Sequence, residues 1–279
     1  MVHGSINPHV EPLAKKIKKQ LTKIGKTLAK KVSAEYNKRG LGKADPDKQQ
    51  SQDEADAILA AALADSDSSE WLIIQQLLTP ELEAQFKAAG HSLFLSLYTD
   101  DDQKDELDKM TSLLDPKARD WALDRGAELV GVRHEVDDDG NITLTENPNP
   151  EWSIEQTTRE DLRQLVSQGV EEGWSTYDLK NNIEDSFGFS KSRAEMIART
   201  ELAFAHVSGH LEAGQQSGAT KKRVILGSEH EADVPAGDEC DEAAEQGEIS
   251  IDQAFFDGYQ GPPLHPNCVC DLVLVYPEE

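Results

Sequence analysis

The segment PPLHPNCVC, residues 262–270, places one histidine and two of the three cysteines of the chain within six residues. Together with the remaining cysteine, these side chains are Cys240, His265, Cys268 and Cys270. A structural zinc site takes four thiolate or imidazole ligands, so the number and type of these residues fit zinc. Their spacing is less typical, because zinc knuckles usually carry C-x2-C pairs and the position three after Cys240 is Ala243.

Three explanations of these residues stay open. They bind zinc, they fill small buried volumes in a turn shaped by Pro262, Pro263 and Pro266, or their thiols serve redox chemistry. His230 and Asp238 are substitute ligands if one of the four side chains points away. The N-terminus carries no continuous apolar signal segment, which indicates the cytosol, where clustered thiols favour metal binding or burial over a disulfide.

The sequence contains no HExxH motif, no GxSxG motif and no phosphate-binding loop. Arg199 and Glu201 lie on opposite edges of an apolar helical stripe with Thr200 at its centre, so they cannot pair with each other. We expect each of them to anchor a neighbouring segment, and catalysis by these two residues is the alternative. The individual residues do not require an enzyme.

Charge is strongly segregated along the chain. Residues 1–43 contain 11 lysines and arginines against two glutamates, a net charge of +9, whereas the rest of the chain has a net charge of −34. An acidic body repels DNA, while a basic arm binds DNA, an anionic surface or an acidic protein patch. No apolar run approaches the length of a membrane span, so we expect no membrane partner.

The basic arm, residues 1–43, has the pattern of an amphipathic helix. Apolar residues recur at helical spacing from Leu13 to Val32, and lysines fill the other faces. The apolar stripe packs on the body of the same chain, on a partner or DNA, or on a membrane surface. We predict contact with DNA or a protein partner through eight lysines: Lys15, Lys16, Lys18, Lys19, Lys23, Lys26, Lys30 and Lys31.

The remaining patterns predict an α+β fold, with a mainly helical body, a small C-terminal β-rich module and the N-terminal basic amphipathic helix. Residues 44–56 lack periodicity and are predicted to be a linker. Residues 57–128 are predicted to be a helical domain, with Pro80 in the first turn of a helix. The last domain, 129–279, is predicted to contain a β-hairpin at 129–146, helices at 155–217 and the β-rich Cys/His module at 221–279.

The predicted hairpin has a calcium-binding alternative. The spacing of an EF-hand loop fits six residues: Glu135, Asp137, Asp139, Gly140, Ile142 and Glu146. The flanking residues have the alternation of strands where an EF-hand requires helices, and the first ligand position is Glu instead of Asp. The pattern therefore favours the hairpin.

Three segments in order resemble the Mu F-like minor head protein family of tailed bacteriophages, also called phage head morphogenesis proteins. They are RAEMIARTELAFAHVSGHLEAGQQSG, DECDEA and PPLHPNCVCDLVLV. The family pattern is an R-A-x-x-I-A-R-T-E helix, a D-x-x-C-x-x-C segment, a glycine and a terminal H-P-N-C-x-C. The similarity extends over roughly residues 110–276.

The resemblance implies that Arg199, Thr200 and Glu201 are the helix signature of the family. It also implies that Ala243 occupies the place of the second family cysteine, and that the family's other Cys/His positions are Cys240, His265, Cys268 and Cys270. A non-enzymatic internal head component is implied, which associates with the portal, other head proteins and packaged DNA and assists assembly or DNA delivery. Its expected location is the inside of the virion head near the portal, after assembly in the host cytoplasm.

Two alternatives to a head protein stay open. One is an enzyme, either a zinc-dependent hydrolase or nuclease, or an ADP-ribosyltransferase-like enzyme that uses Arg199 and Glu201. The other is a zinc-stabilised DNA-binding protein of the host, which the acidic body disfavours.

Overall fold

A computed structural model describes residues 2–41, 48–63, 69–100, 103–136, 142–150, 152–228, 230 and 238–277. Within these ranges eight α-helices form: α1 (Val2–Lys38), α2 (Lys48–Leu63), α3 (Ser69–Leu97), α4 (Lys104–Glu128), α5 (Ile154–Glu171), α6 (Thr176–Glu184), α7 (Lys191–Gln216) and α8 (Glu239–Glu245). None of these helices combines the length and the apolar character that crossing a membrane requires.

The described residues also form two small antiparallel sheets. β1 (Val132–Val136) pairs with β2 (Ile142–Glu146), as the hairpin prediction required. The second sheet has the order β4-β3-β5 and consists of β3 (Lys221–Ile225), β4 (Ile249–Ser250) and β5 (Asp271–Val275). The predicted mainly helical α+β fold with a β-rich C-terminal module is therefore confirmed. The calcium alternative depends on residues 137–141, which lie outside the described residues.

Two predictions on helix boundaries are wrong. The linker predicted at 44–56 is helical from Lys48 onward, because α2 begins there. Pro80 lies inside α3 and not in a first turn. Thr79 and Pro80 resemble a helix start, but buried Ile74, Leu78 and Leu82 continue one apolar face across them, and burial of that face outweighs the hydrogen bond that proline removes.

The described chain divides into two compact units, each built from stretches distant in sequence, whereas the sequence patterns predicted consecutive domains. One unit contains residues 15–77 and 124–194, and the other contains residues 1–14, 78–123 and 195–279. They are called the α1 unit and the Cys/His unit below.

In the α1 unit the apolar stripe of α1 is buried, so the stripe is packed within the chain itself and does not face a partner. A Cβ added to Gly25 would lie 2.7 Å from the ring of Phe189, and Lys18 donates to the carbonyl of Phe189. The hydroxyl of Tyr36 lies 2.9 Å from the carbonyl oxygen of Gly169. Only the lysine-bearing side of this helix is left to solvent.

Arg193, the first arginine of the RAEMIARTE segment, connects three elements of the α1 unit. Its guanidinium donates to the carbonyl of Ile154 at 3.2 Å, to the hydroxyl of Thr157 at 2.6 Å and to the carbonyl of Gly188 at 3.2 Å. The side chain is almost fully buried. This arginine therefore has a structural role at the start of α7.

In the Cys/His unit, α7 packs closely against α3. A Cβ on Gly209 would lie 2.1 Å from the carbonyl oxygen of Phe86, so only glycine permits this helix contact. Farther along α7, a Cβ on Gly214 would lie 2.2 Å from the side chain of Leu274 in β5. The two glycines of α7 therefore permit this helix to pack closely against both α3 and β5.

The sheet of the Cys/His unit contains a fully buried lysine, Lys222, on the inner face of β3. Its ammonium group donates to the side-chain oxygen of Gln260 at 2.7 Å and lies 5.6 Å from the ring centre of Phe255. Burial lowers the pKa of Lys222 to about 8, against the opposing attraction of Asp252. The folded protein therefore binds this proton less tightly than the unfolded chain does.

We predict that this lysine makes the free energy of unfolding rise with pH between about 8 and 10.5, where the unfolded chain binds more protons than the folded one. A Lys222→Met variant lacks this contribution and is more stable than the parent at pH 7, by about 1–3 kcal/mol. Urea unfolding of both proteins at pH 7 to 10.5 measures the difference, which should shrink as the pH rises. A difference that is constant with pH would contradict the prediction.

Candidate metal centre

The pairing of β3 with β5 brings together segments on either side of a long connection. Ile225 lies opposite Asp271 in this antiparallel pair, so the chain that leaves β3 runs beside the chain that enters β5. A Cβ on Gly227 would lie 2.2 Å from the carbonyl oxygen of Val269. Glycine at this position therefore permits the two segments to touch. His230 follows three residues later, and its N–H donates to the carbonyl of Gly227 at 3.0 Å.

Helix α8 supplies the next cysteine. Asp238 is the N-cap of α8, and its Oδ1 accepts hydrogen bonds from the N–H groups of Cys240 and Asp241, both at 3.0 Å. This cap fixes Cys240 in the first helical turn, where its side chain is fully buried. The other oxygen of Asp238, Oδ2, is not used by the cap.

Helix α7 supports the HPNC turn through Thr200. Asn267 adopts a positive φ of 61°, a conformation that asparagine tolerates better than most residues. Its N–H donates to the buried hydroxyl of Thr200 at 3.0 Å, and the N–H of Cys268 donates to the carbonyl of His265 at 3.2 Å. The helix signature and the Cys/His segment are therefore joined by a direct hydrogen bond.

These elements bring seven side chains together in what is called the Cys/His cluster: His230, Asp238, Cys240, Asp241, His265, Cys268 and Cys270. The sulfur atoms of Cys240 and Cys268 lie 3.4 Å apart, and the sulfur of Cys270 lies 3.5 Å from Nδ1 of His230. All three cysteines are buried and carry free thiols. The cluster thus combines three buried thiols with two imidazoles and two carboxylates.

Two carboxylates lie beside Nε2 of His230, the ring nitrogen that does not face the sulfur of Cys270. Its Nε2 lies 3.1 Å from Oδ1 of Asp241 and 3.5 Å from Oδ1 of Asp238. Burial opposes protonation, but Cys270 and the two carboxylates outweigh it, so the pKa of His230 is raised. An Nε2–H directed at Asp241 leaves Nδ1 as the nitrogen that faces the sulfurs, which is the orientation that a metal-binding histidine needs.

The three thiols differ in acidity. Hydrogen bonds from Cys240 and Cys268 lower the pKa of Cys270, and the N–H of Gly227 and the ring of His230 act in the same direction. Hydrogen bonds with Cys268 and Cys270, together with burial, raise the pKa of Cys240. The protein alone therefore accommodates one thiolate here, whereas three adjacent thiolates require a cation among them.

The residues fit zinc in chemistry, and two pairs among them have nearly the separation of two ligands on one ion. Zinc–sulfur bonds of about 2.3 Å and zinc–nitrogen bonds of about 2.0 Å place tetrahedral ligands roughly 3.5–3.8 Å apart. The pair Cys270–His230 is separated by 3.5 Å and the pair Cys240–Cys268 by 3.4 Å. The four residues His230, Cys240, Cys268 and Cys270 would hold the ion, which would neutralise the thiolates and cross-link the segments.

The predicted ligands are brought together in two overlapping groups. The donor atoms of His230, Cys240 and Cys270 all lie within 4.8 Å of one another, and so do those of Cys240, His265 and Cys268. Within the described ranges, Cys268 shares no such group with His230 or Cys270, and His265 shares none with Cys270, so Cys240 is the residue common to the two groups. Sequence reasoning named His230 and Asp238 only as substitutes and missed Asp241, although its position three after an N-cap aspartate was a usable signal.

The other predicted site residues lie elsewhere. Glu201 is buried in α7, and Nε of Arg199 is buried without a hydrogen-bond partner among the described residues. Ala243 is buried in α8, so its position does not supply a metal ligand. In α1, Lys18 and Lys31 are half-buried, and Lys16 is exposed. The remaining five predicted lysines are exposed and form what is called the lysine face: Lys15, Lys19, Lys23, Lys26 and Lys30.

We predict that Thr200→Val, which keeps the shape but removes the hydroxyl, leaves the N–H of Asn267 without its acceptor and lowers the free energy of unfolding by about 1–3 kcal/mol. Thr200→Ser keeps the hydroxyl and is the matched control. Urea unfolding measures both variants. Equal losses for valine and serine would mean that the methyl group matters more than the hydrogen bond.

Comparison with known proteins gives one match, and its range includes the Cys/His cluster. Residues 160–273 match the family model described as Phage Mu protein F like protein. No curated protein and no solved structure matches the chain. The matched range contains the helix signature, Thr200 with its partner Asn267, and all three cysteines. Residues 160–273 are therefore similar to Phage Mu protein F like proteins.

Proposed function

We propose that this protein is a minor head protein of a tailed phage that binds packaged DNA, and the portal, through the lysine face of α1. It is a non-enzymatic component of the interior of the head near the portal, and it assists assembly or DNA delivery. Zinc in the Cys/His cluster holds the C-terminal module together. The Mu F-like match supports the role in head morphogenesis, and the lysine face carries the DNA contact.

The lysine face supports DNA binding because it is exposed, basic and continuous. At 100° per residue its five side chains fall within an arc of about 80°, and they extend along roughly 22 Å of helix. None of the five forms an ion pair within the described part of the chain, so their charges are available to phosphates. The opposite stripe of α1 is buried, which presents the lysines on a rigid helix.

The acidic remainder of the chain supports a contact limited to this face. With a net charge of −34 outside residues 1–43, the body is repelled by densely packed DNA. Phosphates near the molecule are therefore attracted to α1 and excluded from the rest. Such a distribution orients the protein on DNA without any sequence readout.

We predict that replacing all five residues of the lysine face by glutamine greatly weakens binding to duplex DNA. If each lysine neutralises one phosphate, the slope of log K against log salt concentration decreases in magnitude by about 4.5, since each of the five contacts contributes about 0.9. Fluorescence anisotropy between 50 and 200 mM salt measures the slope. Circular dichroism of the variant should remain that of the parent, because the five side chains are exposed.

The matched control changes net charge equally at five lysines outside α1, four of which have ion-pair partners: Lys104, Lys109, Lys117, Lys180 and Lys221. This control should retain the slope of the parent. An equal loss of DNA binding in both variants would mean that total charge acts instead of the lysine face.

The lysine-face variant and its control also test the portal contact, by measuring how much of each protein is retained on purified portal. Unchanged retention of the lysine-face variant would exclude this face of α1 from the portal contact.

The proposed zinc has a structural role. Three cysteines and one histidine make four protein ligands, which is the closed set of structural zinc sites, whereas catalytic sites keep a position for water or substrate. The ligands come from the loop after β3, from α8 and from the segment before β5. Cross-linking three such short segments stabilises a module whose strands have only two to five residues.

We predict that the purified protein contains zinc and that a strong chelator lowers its Tm. At free zinc about a thousandfold above the Kd, binding stabilises the fold by roughly 4 kcal/mol. His230→Ala should lower both zinc content and Tm, and His134→Ala, a histidine outside the cluster, is the control. A metal-free protein whose Tm does not respond to zinc or chelator would contradict the zinc proposal and leave the DNA proposal untouched.

A further inference from the structure

The Cys/His cluster contains more ligands than one zinc ion needs. His230, Cys240, Cys268 and Cys270 already provide four, yet Cys240 and Cys268 also lie in a second group with His265, all within 4.8 Å. Asp238 belongs to a third group, with His230 and Asp241, and its Oδ2 lies 3.4 Å from Nε2 of His265 in the second group. His265 is therefore a potential ligand beyond the four that one ion needs, and it lies close to the sulfurs of Cys240 and Cys268.

Asp238 and His265 present two buried atoms that the protein leaves without hydrogen bonds. Oδ2 of Asp238 and Nε2 of His265 are inaccessible to solvent and lie 3.4 Å apart, but neither has a hydrogen-bond partner. The Asp238 side chain is 7% exposed, and its Oδ1 is occupied by the cap of α8. Nδ1 of His265 faces the carbonyl oxygen of Pro266 at 2.9 Å, which fixes the ring with Nε2 inward.

The spacing of these two atoms is that of two ligands on one zinc ion. Zinc–oxygen and zinc–nitrogen bonds of about 2.0–2.1 Å place two tetrahedral ligands roughly 3.4 Å apart. The observed separation is 3.4 Å. An orphaned carboxylate oxygen and an orphaned imidazole nitrogen at this distance are better explained by a shared cation than by their poorly aligned contact.

Charge in the cluster leads to the same conclusion. Three thiolates and the buried carboxylate of Asp238 carry four negative charges, and the partly exposed carboxylate of Asp241, beside Nε2 of His230, adds a fifth. Net charge inside a protein is costly unless it is paired. One zinc ion leaves two of the four buried charges uncompensated, whereas two zinc ions balance all four and leave both histidines neutral, as ligands must be.

We propose that the cluster binds two zinc ions that share the thiolates of Cys240 and Cys268. His230 and Cys270 complete the first position, and His265 and Asp238 complete the second. This inference rests on the proposed structural zinc and adds the second ion to it. Both positions have four protein ligands, so the pair forms a closed zinc–thiolate cluster that supports the fold and performs no hydrolysis.

Zinc stoichiometry tests the proposal on the full-length chain. Native mass spectrometry after titration with zinc alone should show two ions bound to the parent protein. Asp238→Asn keeps the Oδ1 acceptor that caps α8 but replaces the second oxygen by an amide, so this variant should bind one ion and remain folded. His265→Ala should also bind one. Cadmium-113 NMR of the cadmium-loaded parent should give two resonances, and one resonance in either variant.

A parent protein that saturates at one ion would overturn the second site and leave the proposed structural zinc standing. Two ions retained in both Asp238→Asn and His265→Ala would also overturn it, since the second ion would then use other ligands. Glu242→Gln, an exposed change in the same helix, is the matched control and should keep two ions. Binding of no zinc at all by the parent would contradict the proposed function itself.

Discussion

The antiparallel pairing of β3 with β5 determines where every residue of the Cys/His cluster lies. Once Ile225 is opposite Asp271, the chain after β3 and the chain before β5 must run together, and Gly227 permits them to touch. His230 and Cys270 are neighbours for this reason, although 39 residues separate them. Helix α8 then needs only its Asp238 cap to place Cys240 against the same sulfurs.

Helix α7 connects this cluster to the helical part of the Cys/His unit. Its glycines permit close contact with α3 and with β5, and Thr200 binds the backbone of the HPNC turn. One helix therefore sets the position of the sheet and of the turn that carries two cysteines. The α7 segment around Thr200 and the terminal Cys/His segment are therefore two sides of one hydrogen-bonded contact.

The Cys/His unit contains two kinds of buried ionisable group, the single lysine Lys222 and the thiols and carboxylates of the Cys/His cluster. Lys222 is held by a single amide oxygen and an aromatic face, so its pKa falls toward 8. In the Cys/His cluster, three thiols and two carboxylates lie together, and both carboxylates contact histidine rings. A protein can tolerate one isolated buried lysine by releasing its proton, but several adjacent thiolates and a carboxylate call for metal cations.

The amino-acid sequence by itself determined the helical α1, the hairpin, the helices from α5 to α7, the β-rich C-terminal module and the cysteines that this module contains. These features depend on local periodicity, turn residues and residue type, which are present in any stretch of ten or twenty residues. Only the tertiary structure decided that α1 buries its apolar stripe, that α3 continues through Pro80 and that His230 joins the cysteines. Each of these outcomes depends on burial against segments distant in the chain, and spacing along the sequence carries no information about which segments those are.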